Sequence, residues 1–111
     1  MDRIEEYRRI LVRLLSEYAA FKPSFGEVEV ETVLDEAKDH YEISYVGWIR
    51  DQRVHGPVLH VDIRRGKIWI QHDGTEDGIA AALVEAGVPR DHIVLAFHPP
   101  NERRYTGFAI A

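Results

Sequence analysis

The sequence predicts an α+β fold: an N-terminal helix, a four-stranded antiparallel meander, a second helix and a C-terminal strand-like tail, packed as a single two-layer domain. Three observations carry this. Apolar residues recur at helical spacing near the start, period-two alternation fills the middle, and a short Ala-rich amphipathic stretch ends at Gly87 and Pro89.

Asp2 followed by Glu5 reads as a capping box, and Ile4, Tyr7, Leu11, Leu14, Tyr18 and Phe21 then line one helical face. The predicted helix spans residues 2–20 and stops ahead of Pro23 and Gly26. From Val28 the pattern becomes alternating. Val28, Val30, Thr32 and Leu34 share a face, and Tyr41, Ile43 and Tyr45 form a second run whose alternate positions are His40, Glu42 and Ser44. Gly47 breaks the alternation and marks a bulge or twist, so pattern leaves the facing of Trp48 open. A polar turn is expected over residues 50–53. Beyond it Leu59, Val61 and Ile63 form a third run, with Pro57 requiring an edge or a bulge at its start.

Arg65-Gly66 reads as a two-residue hairpin loop with positive φ at the glycine, which sets a register. Arg64 then faces Lys67, Ile63 faces Ile68, Asp62 faces Trp69, Val61 faces Ile70, and His60 faces Gln71. One face of this hairpin is aliphatic. The other presents His60, Asp62, Arg64, Lys67, Trp69 and Gln71, polar residues around one large aromatic, which matches the composition of protein contact surfaces. Packing of Trp69 under the first helix or the tail is the competing reading. Thr75, Glu76 and Asp77 predict the start of the second helix, and residues 93–97 are apolar enough for a buried strand. The final segment, 105–111, reads as a strand or an ordered tail.

With 111 residues, 45% hydrophobic and 30% charged, the chain is expected to form one domain, residues 1–111, that folds alone. It contains no cysteine, which excludes disulfides, thiolate metal cages and cysteine nucleophiles. No apolar stretch approaches the roughly 18 residues of a membrane span, so a cytoplasmic protein is expected. A net charge of −5 disfavours independent nucleic-acid binding, which would have to use Arg9, Arg13, Arg103 and Arg104.

Catalytic chemistry finds little support. Ser16, Ser24 and Ser44 lack a nucleophile-elbow context, and Glu29 with Glu31 reads as a solvated strand face. Six histidines raise the alternative of a metal- or anion-binding site near His60, Asp62, His72 and Asp73. Alternation sets His72 on the opposite face from His60 unless the strand bends at Gln71. Asp73, Gly74 and Thr75 lead into a helix and form a candidate anion site, although neither a P-loop lysine nor spaced glycines accompany them. No catalytic residue, metal or cofactor is expected.

Four stretches carry a family resemblance: MDRIEEYRRILVRLLSEYA at the start, DHYEISYVGW at 39–48, GKIWIQHDGTEDGIA at 66–80 and VLAFHPPNERRYTGFAIA at 94–111. Together they resemble the XisI family, the fdxN element excision controlling factors found in cyanobacteria and some other bacteria. That resemblance implies a non-enzymatic regulatory protein, accessory to a separate recombinase, with an XisH-like partner of nuclease-like fold. It implies no catalytic residues. The polar hairpin face is therefore the expected contact with that partner or with a second copy of the chain.

Overall fold

A computed structural model describes residues 2–21, 23 and 26–111; Ser24 lies outside the described residues. Helix α1 (Arg3–Ala19) is followed by strands β1 (Glu27–Asp35), β2 (His40–Ile49), β3 (Gln52–Arg64) and β4 (Lys67–Asp73). Helix α2 (Ile79–Glu85) then leads to β5 (Ile93–Leu95), and single 3-10 turns occupy Arg90–His92 and Arg103–Tyr105. Strand order in the sheet is β1-β2-β3-β4-β5. The expected meander forms the first four strands, all antiparallel, whereas β5 pairs with β4 in parallel. The sheet is thus mixed, because a parallel neighbour requires a crossover and α2 supplies it. No described helix is long and apolar enough to cross a membrane.

Asp2 caps α1 through a 3.2 Å bond from the Ile4 amide, while Glu5 turns away from the cap to pair with Arg8. The helix buries Tyr7, Leu11, Leu14 and Leu15 against the aliphatic side of the sheet. There they meet Tyr41, Ile43, Leu59, Val61, Ile63, Ile68 and Ile70, with Ile79 and Leu83 from α2. Each such side chain contributes about 1.5–3 kcal/mol on burial, so truncation at Leu11, fully buried, removes about 2–5 kcal/mol. Two polar contacts orient the helix. Arg8 donates to both oxygens of Asp39, at 2.8 and 3.1 Å, and the Tyr7 hydroxyl lies 2.6 Å from His92 Nδ1. Asp39, and Glu5 beside it, push the Arg8 pKa up, while burial raises that of Tyr7. Burial first, and the neighbouring Asp39 charge second, likewise push up the Tyr41 hydroxyl, which donates to Asp39 at 3.2 Å.

Two bulges reset the register. Between β2 and β3 the pairing moves from Ile43–Leu59 to Ser44–Pro57, leaving Val58 as the extra residue beside the predicted irregularity at Pro57. Strand β3 is longer than its pattern suggested, because Gln52 already pairs with Ile49 and the turn contracts to Arg50 and Asp51. Arg65 and Gly66, at φ 52° and 77°, form the expected tight loop, and the pairs from Arg64–Lys67 to Val61–Ile70 follow the predicted register. The next pair departs from it. Gln71 bulges, so His60 faces His72 instead of Gln71.

Gly47 is required by proximity rather than by a bulge of its own. A Cβ there would come within 2.0 Å of the Glu27 carbonyl oxygen across the β1–β2 pairing. Trp48, next to it, points outward at 46% exposure with the Arg53 guanidinium 5.3 Å from its ring centroid.

Helix α2 begins at Ile79, four residues beyond the predicted start at Thr75. The segment 105–111 is an ordered tail: its Ala109 makes an isolated parallel bridge to Val94, with a 2.8 Å bond to the Ile93 carbonyl.

Candidate functional site

Alternation sends His40 and Glu42 of β2, His60, Asp62 and Arg64 of β3, and Lys67, Trp69 and Gln71 of β4 away from the helices. Asp62 sits at the middle of this layer, opposite His40 on one side and Trp69 on the other. It is 4% exposed. A buried carboxylate is costly unless donors surround it, and four do so here. His40 Nδ1 and His60 Nε2 lie 3.0 and 3.1 Å from Oδ1, while Arg64 and Gln71 donate to Oδ2 at 3.0 and 3.4 Å.

The tail covers the other half of the predicted contact face. Trp69 donates its indole N–H to the Arg64 carbonyl at 3.1 Å and carries the Arg103 guanidinium 5.6 Å from its ring centroid. Arg103 donates in turn to the carbonyls of His98, Ile110 and Ala96, and Lys67 donates to the carbonyl of Ala111. Trp69 is thus half-buried, with the Arg103 guanidinium over its ring. Of the six residues assigned to a partner surface, Arg64 is exposed, Asp62 is buried, and His60, Lys67, Trp69 and Gln71 are half-buried. The tail itself presents large apolar side chains to solvent: Tyr105 is 76% exposed, Ile110 56%, and neighbouring Phe97 48%. Tyr105 also borders an open depression of about 650 Å³ with Leu95, His98, Glu102 and Thr106. Sequence reasoning missed these residues, since their only signal was apolar side chains amid turn-forming ones.

The predicted anion site is already filled from within. Asp73 Oδ1 accepts from the Thr75 amide and hydroxyl, and Oδ2 accepts from the Ile79 amide at 2.8 Å. Its carboxylate serves as the anion at the start of α2, which is why the helix begins at Ile79. The predicted metal set changes membership for the same kind of reason. Asp73 is committed to that cap, and His72, though opposite His60, stands outside the cluster; His40 joins His60 and Asp62 instead. Of the four arginines considered for DNA contact, Arg103 is committed to tail carbonyls and Arg104 stacks on Tyr105 at 4.9 Å.

These features define a class: a small α+β protein whose helices cover one face of a mixed sheet, while the other face carries a buried, multiply bonded aspartate beside a tryptophan overlaid by the C-terminal segment. No curated protein is similar to it in sequence. Two crystal structures share this fold along the length of the chain. A XisI-like protein from Anabaena variabilis ATCC 29413 is 39% identical, with 97% of this chain and 99% of that one covered at a TM-score of 0.91. The fdxN element excision controlling factor XisI from the same organism is 34% identical, with 99% and 100% covered at a TM-score of 0.88. The XisI protein family matches residues 1–110, and the chain belongs to that family.

Proposed function

We propose that this chain is a non-enzymatic accessory protein that controls excision of a DNA element, acting through an XisH-like partner. The observation that carries the proposal is the end-to-end correspondence, at 34% identity, with an fdxN element excision controlling factor. A net charge of −5 supports control through a protein contact rather than through DNA. The polar hairpin face first singled out is mostly occupied by internal bonds, so the contact is assigned to the tail above it, at Phe97, Tyr105 and Ile110. Aromatic side chains exposed beside arginine have the composition of interface centres. Co-expression with the XisH-like protein is expected to yield a complex that survives purification. Separate elution of the two proteins at micromolar concentration would overturn the proposal, and a larger species formed by this chain alone would assign the surface to self-association.

A further inference from the structure

Three metal-ligating side chains converge on the polar side of the sheet. His40 and Asp62 are directly opposed across β2 and β3, and His60 stands two residues before Asp62 on the same face. The imidazole nitrogens approach one oxygen, Asp62 Oδ1, at 3.0 and 3.1 Å, and the two rings meet edge to face with centroids 4.6 Å apart. One ligand atom from each residue lies within 4.8 Å of the other two. We infer that His40, His60 and Asp62 bind a first-row divalent transition-metal ion.

The spacing suits such an ion. Nitrogen and oxygen ligands at about 2.0–2.2 Å from a shared centre stand roughly 3–3.5 Å from one another, and the two imidazole nitrogens here stand 3.0 and 3.1 Å from Asp62 Oδ1, with all three atoms within 4.8 Å. Two imidazoles and one carboxylate form a borderline donor set that accepts zinc, manganese, iron, cobalt or nickel, and they leave further positions open. Access is available, with the His40 and His60 side chains 36% and 27% exposed.

The surrounding groups already stand where ligand-orienting partners are needed. Arg64 and Gln71 hold Asp62 by Oδ2, directing Oδ1 at the imidazoles. Glu42 Oε2 lies 3.7 Å from His40 Nε2, the nitrogen that does not face Asp62. A carboxylate on the far nitrogen of a ligating imidazole fixes its tautomer and raises its basicity. Metal-free, each imidazole donates an N–H to Oδ1; on binding, a tautomer change turns both lone pairs toward the ion. The positive charge of Arg64 opposes the ion, but that side chain is 60% exposed and its field is screened by solvent.

The test is calorimetric titration of tag-free protein with Zn²⁺, and with Co²⁺ followed by its visible absorption. One saturable site per chain is expected. His40→Gln and His60→Gln should each weaken it by about tenfold or more, and Gln71→Leu by about tenfold through loss of Asp62 orientation. His72→Gln, at an exposed histidine outside the cluster, should leave affinity unchanged, and circular dichroism confirms that each variant is folded. Absence of saturable binding by folded wild-type protein would overturn the inference. So would a site that survives the combined His40→Gln and His60→Gln substitutions. Neither readout involves the partner protein, so this inference and the proposed function fail separately.

Discussion

Arg103 lies over the ring of Trp69 and donates to three backbone carbonyls of the segment that follows β5, those of Ala96, His98 and Ile110. One guanidinium thus ties the chain after β5 to the tail and to β4. Lysine cannot reproduce this, because a single ammonium lacks the planar fork and stacks poorly. Arg103→Lys is expected to cost about 1–2 kcal/mol in urea unfolding. In a Trp48→Phe background, emission from Trp69 should also shift to the red as the ring gains water.

The Asp73 carboxylate joins the end of β4 to the start of α2 through the amides of Thr75 and Ile79. Asp73→Ala leaves those donors without their acceptor and should destabilise the protein by about 1–2 kcal/mol in a chemical-denaturation series. Wild-type protein should gain no stability from phosphate at this position, because the anion is already supplied.

Two glycines offer a paired test of the sheet. At Gly47 a methyl group meets the Glu27 carbonyl oxygen at 2.0 Å, and at Gly56 it meets nothing within 4 Å. Gly47→Ala must push β1 away from β2 and is expected to lower stability by about 2–4 kcal/mol. Gly56→Ala should stay within about 0.5 kcal/mol of wild type.

Much of the fold was legible because local signals agreed with tertiary ones. Arg65-Gly66 has the turn chemistry that fixes a register, and four consecutive pairs, through Val61–Ile70, followed from it. Bulges carry no such signal. The extra residue at Gln71 moved His60 opposite His72, and the one at Val58 set His40, rather than Asp39, opposite Asp62. A register counted back from the Arg50-Asp51 turn misses that second pairing by one residue, which hides the meeting of His40 with Asp62. The start of α2 was misplaced because Thr75 looks like a cap locally, whereas its hydroxyl is spent on Asp73. Coverage of Trp69 by the tail depends on Arg103, more than thirty residues downstream, and no periodicity reports a contact of that kind.

In the proposed function, the exposed apolar side chains of the C-terminal segment form the partner contact. Its most direct test is the affinity of this chain for the XisH-like protein, measured by interferometry for wild type, Phe97→Ser and Tyr105→Ser. Both residues are exposed, at 48% and 76%, so the variants should fold as wild type does. A stable complex is expected, and each substitution should weaken it by about tenfold or more. No complex, or one whose affinity neither substitution changes, would contradict it.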